Sequence, residues 1–175
     1  MNSITTVEQL IESFQDAEPY EQGLILNNVN IPTSEFRQFA NWTDGCYTRN
    51  CLAKCDEFEF ILLCWDGNCQ TKIHDHAGQN CWVYQVDGEL REVRFEGPED
   101  KLEVYSDETL RKGEVSYMND QMGYHRIENP NNTRAMTLHI YANPIEQCKV
   151  YNEDTSRFEI TTMVYDSVHE VADAD

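Results

Sequence analysis

The sequence is poor in positive charge: 13 lysine and arginine residues stand against 32 aspartate and glutamate residues, a formal net charge of −19. Proteins bind nucleic acids and anionic membranes chiefly through lysine and arginine, so a surface of this sign repels both partners. The basic residues are also scattered, and Arg111 and Lys112 are their only adjacent pair. The composition therefore excludes nucleic acid as a partner, and the strong self-repulsion favours a dispersed monomer.

Long apolar runs are absent as well. The longest, residues 60–65, is far shorter than the ~20 residues that a membrane-spanning helix requires. Residues 1–14 lack the basic start and the apolar core of a signal peptide. We therefore expect a cytoplasmic protein that does not enter a membrane.

The seven cysteines are an odd number, which in a chain without a secretion signal favours free thiols over a disulfide framework. Cys51, Cys55 and Cys69 lie close in sequence but contain no C-x-x-C pair. Their spacing does not match structural zinc sites, so we expect no zinc finger.

The length of 175 residues predicts one domain, residues 1–175, whose first part, 1–45, is helical. Apolar residues repeat at helical spacing from Val7 to Phe14 and predict a helix that ends near Pro19. Two pairs fit a capping box at its start, Thr5 with Glu8 and Thr6 with Gln9. A second short helix is expected after Pro32, with Thr33 or Ser34 as its cap.

Residues 46–167 read as short strands broken by turns, at 58–65, 81–86, 90–95, 102–105, 115–118, 135–141 and 158–165. Asp87 and Gly88 separate two of these runs and predict a β-hairpin, because both residues tolerate positive φ. Many short strands with few helices between them favour an antiparallel barrel or sandwich. The acidic tail, 168–175, is expected to fray.

The sharpest local signal is a pair of histidines two residues apart, His74 and His76. On a strand both side chains face the same side, and two buried imidazoles are costly unless a metal uses their nitrogens. Alone the pair is weak evidence, because such pairs also occur on exposed strands. His125, on a separate predicted strand, supplies a third ligand, although a surface histidine beside a loop is the simpler alternative.

The order of the motifs is that of a cupin barrel: the histidine pair, a turn at Gly88, then Gly123, His125 and Asn129. Cys81 stands where the usual cupin motif has a glutamate ligand. With the segments 47–50, 62–65, 123–129 and 138–141, the sequence resembles the animal-type cysteine dioxygenases. Two departures are Asn68 in place of a glycine and Thr137 in place of a serine.

The resemblance implies a mainly β fold, a cupin-type antiparallel β-barrel with short N-terminal helices. It implies that His74, His76 and His125 hold Fe(2+), and that L-cysteine and O2 react there to give cysteine sulfinic acid, the first step of cysteine catabolism toward taurine and sulfate. Three neutral ligands leave the full charge on the metal, which suits a thiolate substrate. Three histidines hold zinc equally well, so iron rests on the resemblance alone.

The resemblance also implies that Arg49 binds the substrate carboxylate with help from the Tyr47 hydroxyl. A guanidinium offers two parallel donors to a carboxylate, and such charge-assisted bonds are strong in a dry pocket. The alternative is an ordinary strand pair, in which the tyrosine packs and the arginine pairs with a surface acid.

Thr137, His139 and Tyr141 alternate along one predicted strand and so point the same way. They form either a hydrogen-bonded relay that orients the Tyr141 hydroxyl toward substrate or a polar stripe satisfied inside the barrel. Cys81 is either a small buried hydrophobe or, as in the animal-type enzymes, the partner of Tyr141 in a thioether. Cys148 and Met163 either pack or lie at the mouth of the pocket.

Two other functions stay open at this stage. One is a related dioxygenase for another small thiol such as 3-mercaptopropionate, although enzymes of that branch generally carry glutamine at the place of Arg49 and lack the cross-link cysteine. The other is a non-catalytic cupin that binds a metal or a small ligand.

Overall fold

The computed structural model describes residues 3–18 and 20–169, and strands are the main regular structure among them. The helices are α1 (Val7–Gln15), α2 (Gln22–Ile25) and α3 (Thr33–Arg37), with 3-10 turns at Leu26–Asn28 and Asp120–Met122. The strands are β1 (Tyr47–Lys54), β2 (Glu59–Trp65), β3 (Cys69–Gln70), β4 (Cys81–Asp87), β5 (Glu89–Glu96), β6 (Glu103–Arg111), β7 (Val115–Met118), β8 (Tyr124–Asn129), β9 (Ala135–Tyr141), β10 (Gln147–Asn152), β11 (Arg157–Thr162) and β12 (Ser167–Val168). Within the described residues, every helix is too short or too polar to cross a membrane.

The helix predictions are confirmed in place but not in every boundary. Thr6 is the N-cap of α1 and accepts a hydrogen bond from the Gln9 backbone at 3.2 Å, so one half of the second predicted capping pair forms. The Gln9 side chain accepts from the Thr5 backbone at 2.9 Å instead of from Thr6. The helix ends at Gln15, while Pro19 lies outside the described residues. The cap prediction for α3 is wrong: Pro32 is the N-cap and Thr33 the first helical residue. The Thr33 hydroxyl instead accepts a hydrogen bond from Lys112 at 2.7 Å.

Two sheets enclose the interior of the barrel, in the strand orders β12-β1-β2-β9-β4-β7 and β3-β8-β5-β6, and β10 pairs with β11. Alternate residues of β2, β4 and β9, such as Phe60, Leu62 and Leu138, pack outward against Leu10 and Phe14 of α1. The opposite face meets apolar residues of the second sheet inside the barrel. The helices therefore cover one sheet from outside and leave the interior to the polar site.

The predicted hairpin at Asp87 and Gly88 is wrong. Strand β4 pairs with β9 and β7, whereas β5 pairs with β8 and β6, so the chain crosses from one sheet to the other at this point. Gly88 has a φ of +76°, and an added Cβ would lie 2.8 Å from that of Ala135. A corner between sheets thus needs the same positive φ as a hairpin, which is why the local signal could not separate them.

The C-terminal part departs from the prediction as well. Strand β11 ends at Thr162, and the chain then turns to lay β12 parallel to β1, with Val168 opposite Cys51. Residue 168, where the frayed tail was expected to begin, is therefore paired. Residues 170–175 of that predicted tail lie outside the described residues.

Candidate metal centre

Three histidines converge at one end of the barrel. The side-chain nitrogens of His74, His76 and His125 lie within 4.8 Å of one another. His74 forms isolated antiparallel bridges to His125 and to Val150, and its backbone exchanges bonds of 3.0 and 3.1 Å with His125. The regular strand predicted around His74 and His76 is absent from this part of the structure, because the chain turns tightly after His76, with Ala77 at a φ of +51°.

Two carboxylates fix this loop. Asp75 accepts hydrogen bonds from the backbone of Lys149 at 2.8 Å and of Ala77 at 3.3 Å. Asp120 accepts from the backbone of His76 at 2.8 Å and of Gly78 at 2.6 Å. The carboxylates thus take up backbone donors that a regular strand would have paired, and they hold both histidines in place.

The hydrogen bonds behind the rings determine which nitrogen faces the cluster. Nδ1 of His74 lies 2.9 Å from the Lys72 carbonyl, which can only accept, so Nδ1 carries the proton. Nδ1 of His125 lies 2.6 Å from a carboxylate oxygen of Glu92. Burial acts to raise the pKa of Glu92, but hydrogen bonds from His125 and Ser116 and the charge of Arg94 outweigh it and lower that pKa to about 2. Glu92 is therefore ionised and also accepts.

With Nδ1 as the donor of each neutral ring, the Nε2 atoms of His74 and His125, 3.2 Å apart, would present lone pairs to each other. Burial lowers the pKa of His74 to about 3 and that of His76 well below its usual range, so both rings are neutral at physiological pH. Neither ring nitrogen of His76, which is fully buried, has a hydrogen-bond partner among the described residues. A divalent metal ion would take up the Nε2 lone pairs of His74 and His125 and one ring nitrogen of His76, and the donor set fits such an ion.

A cavity of about 370 Å³ opens beside the cluster and reaches His74. Arg49 and Tyr47 line it from β1, and the Tyr47 ring lies 5.0 Å from that of Trp65. The guanidinium of Arg49 donates from Nε to the Val164 carbonyl at 3.2 Å. Its Nη2 atom is buried and has no partner among the described residues, so the alternative, pairing with a surface acid, is not seen there.

Cys81 and Tyr141 lie directly opposite each other on β4 and β9, both fully or almost fully buried. Burial raises the pKa of Cys81 and raises that of Tyr141 well above its usual range, so both are protonated at neutral pH. The two groups that a thioether would join are thus cross-strand neighbours beside the cavity.

The polar stripe on β9 is only partly connected. The Thr137 hydroxyl accepts from the Trp65 indole at 2.8 Å and lies 3.0 Å from Nε2 of His139. The ring centres of His139 and Tyr141 are 6.5 Å apart, and no hydrogen bond joins them within the described part of the chain. The Thr137 hydroxyl therefore holds His139, but the predicted relay is not continued by a hydrogen bond from His139 to Tyr141 within the described residues.

Other predicted residues fall into place. Cys148 and Met163 both line the cavity, with their sulfur atoms 3.8 Å apart. Cys64 packs on the helix-covered face, away from the cavity. At Asn68, where the cupin pattern has glycine, the backbone adopts the φ of +57° that a glycine would favour.

Glu92 and Asp120 are the site residues that the sequence analysis missed. Glu92 follows the buried Leu90 by two residues and shares its face of β5, a placement in which a charge is unusual. Val93 and Phe95 on the other face are buried too, so alternation alone does not say which face is interior. Asp120 sits in a loop, where an aspartate is ordinary.

Comparisons with known proteins agree with this geometry. Residues 2–154 match the sequence model of the family described as cysteine dioxygenase type I. The chain is 32% identical over 148 residues to cysteine dioxygenase type 1 of Rattus norvegicus, covering 82% of this chain and 74% of that one. It is 28% identical over 168 residues to the protein of that name from Danio rerio, covering 93% and 83%.

Solved structures show the fold. A Klebsiella pneumoniae protein with a double-stranded β-helix domain superposes with a TM-score of 0.52 at 10% identity, covering 73% of this chain and 94% of that one. A sugar phosphate isomerase of the cupin superfamily from Silicibacter pomeroyi gives a TM-score of 0.50 at 16% identity, covering 66% and 76%. The predicted cupin-type barrel with short N-terminal helices is confirmed.

Proposed function

Because the chain belongs to the cysteine dioxygenase type I family, we propose that it is an iron-dependent dioxygenase that converts L-cysteine and O2 to cysteine sulfinic acid. His74, His76 and His125 would hold the iron. Iron(II) bound there would supply dioxygen activation and a charge that favours the thiolate form of the substrate. The family and the three-histidine cluster support a metal-dependent dioxygenase. That the metal is iron and that the substrate is L-cysteine is what we propose in addition.

The choice of substrate is supported by Arg49, which lines the cavity beside His74 and whose Nη2 atom is buried without a hydrogen-bond partner among the described residues. A buried charged donor without a partner is costly, and a substrate carboxylate would remove that cost. The ligand that fits therefore carries a thiol at one end and a carboxylate at the other. Tyr47 adds a hydroxyl to the same cavity wall. Tyr141, protonated at neutral pH, would offer a hydrogen-bond donor beside the sulfur of the bound substrate.

Oxygen uptake by metal-loaded protein tests the proposal. We expect about one iron per chain and uptake of one O2 for each L-cysteine, with a product heavier by two oxygen atoms in mass spectrometry. Uptake with 3-mercaptopropionate but not with L-cysteine would reassign the substrate. Iron-loaded protein that consumes no oxygen with either thiol would contradict the enzymatic function.

A thioether between Cys81 and Tyr141 is expected in part of the protein after exposure to L-cysteine and air. The new bond joins the sulfur to a ring carbon, the S–H and C–H hydrogens are lost, and O2 accepts the two electrons. The link would fix the Tyr141 ring at the cavity wall and so raise turnover, but the reaction would not depend on it. Cys81→Ser should therefore keep part of its activity. Peptide mass spectrometry should detect a linked pair two hydrogens lighter than the separate peptides.

The Cys81→Ser protein, treated in the same way, is the matched control and should give only separate peptides. Finding only unmodified Cys81 and Tyr141 peptides in the native chain would refute the cross-link and leave the metal site untouched.

A further inference from the structure

The C-terminal strap, which we define as residues 163–169, runs beside β1 at the edge of the cavity. It includes β12, paired in parallel with β1, and Met163, which lines the cavity. The strap lies wholly beyond residue 154, where the match to the family ends. The family's sequence model therefore gives no expectation for the contacts of the strap.

Two strap residues hold Arg49 by three hydrogen bonds. The carboxylate of Asp166 accepts from the Arg49 backbone N–H at 2.8 Å, and the Asp166 N–H donates to the Arg49 carbonyl at 2.8 Å. The carbonyl of Val164 accepts from Nε of the guanidinium at 3.2 Å. The strap thus fixes both the backbone and the side chain of Arg49, and within residues 3–18 and 20–169 Nη2 has no hydrogen-bond partner.

The strap has separate anchors of its own. The Tyr165 hydroxyl donates to Glu59, which is fully buried. The Ser167 hydroxyl lies 2.6 Å from the side-chain oxygen of Asn50, and the His169 backbone donates to Cys51 at 2.8 Å. Since these bonds do not involve Arg49, the strap can position the arginine without depending on it.

An arginine side chain has many rotamers, and ordering it on binding reduces affinity. A guanidinium already fixed at Nε turns its remaining donors in one direction before the substrate arrives. We propose that the strap is a working part of the substrate site, with Val164 and Asp166 as positioning residues that hold Arg49 for the substrate carboxylate. The inference rests on the proposed function only in requiring a substrate with a carboxylate.

Anaerobic calorimetry on iron-loaded protein tests this inference, with L-cysteine, 3-mercaptopropionate and the carboxylate-free thiol cysteamine as probes. In Asp166→Ala we expect L-cysteine to bind about tenfold more weakly, the scale of one hydrogen bond to a charged group, and cysteamine to bind within about twofold of the native chain. Asp166→Asn should largely restore L-cysteine binding, because its amide oxygen can still accept from Arg49. Val168→Ala, which trims an exposed side chain of the strap and removes none of its hydrogen bonds, should leave the ratio of the two affinities unchanged.

Unchanged L-cysteine binding in Asp166→Ala, or an equal loss for cysteamine, would overturn the inference. If Asp166→Ala does not fold, Tyr165→Phe, which removes the bond to Glu59, should shift the ratio in the same direction, and an unshifted ratio would overturn the inference as well. Native protein that binds 3-mercaptopropionate but not L-cysteine would refute the proposed substrate, and the same variants then test the strap with that thiol. Native protein that binds neither carboxylated thiol would overturn both proposals.

Discussion

His76→Ala is expected to lower bound metal from about one ion per chain to less than about a tenth of that, and to abolish oxygen uptake with L-cysteine. Both ring nitrogens of His76 are buried without a hydrogen-bond partner among the described residues, and a metal ion would bind one of them. Loss of a group behind a metal ligand already weakens metal binding about 10- to 100-fold, and loss of a ligand should exceed that. Metal analysis after dialysis, with oxygen uptake on the same sample, measures both effects.

His139→Ala is the matched control for this experiment. His139 is buried and bonded to Thr137 but does not belong to the three-histidine cluster, so the variant should keep its metal. Native metal content in His76→Ala, or in the corresponding variants of His74 or His125, would refute the ligand assignment.

Arg49→Gln is expected to lower kcat/KM for L-cysteine. The loss of transition-state stabilisation should be about 2–5 kcal/mol, the cost of truncating one partner of a buried charge pair. That range corresponds to a loss on the order of 30-fold to several thousand-fold. Glutamine keeps one donor but loses the charge and the second parallel donor, which together match a carboxylate. Cysteamine, which has no carboxylate, should be affected much less. Oxygen uptake at varied concentrations of each thiol gives both ratios.

Arg157→Gln removes the same charge from an exposed arginine paired with Glu99 and should leave both thiols unaffected. Equal losses on L-cysteine and cysteamine in Arg49→Gln would show that Arg49 supports the barrel instead of the substrate.

His74 and His76 could be predicted from sequence because their spacing is short, whereas His125 could be added only through the resemblance to the cupin order of motifs. His74 and His76 converge although the backbone there is a loop with isolated bridges instead of the predicted strand. The prediction of the histidine pair therefore held although the prediction of the strand did not. Gly88 misled the topology because a hairpin and a corner between sheets place the same demand on one residue. Local patterns report the conformation of a residue well and its distant partner poorly.

The supports of the site are distant pairings, and so the sequence did not reveal them. Glu92 meets His125 across 33 positions, and Asp166 meets Arg49 across 117. An acidic residue in a chain with 32 of them carries no local mark of such a role. Only the folded sheets bring these pairs together, and the end of the strap, residues 168 and 169, was predicted as the start of a frayed tail for the same reason.

The position of the site has one consequence for the length of the ligand, because Arg49 and the proposed metal ligand His125 belong to different sheets. Arg49 lies on β1 of the larger sheet and His125 on β8 of the smaller one. A ligand with its sulfur at the metal and its carboxylate at Arg49 would reach from one sheet to the other. The separation of the two sheets would then limit the distance between sulfur and carboxylate in a ligand that fits. One added methylene lengthens that distance by about 1.5 Å, more than the roughly 0.5 Å tolerance of a preorganised site. Side chains such as Leu90 and Val83, which set the spacing of the sheets from within the core, would therefore govern which thiol fits without touching it.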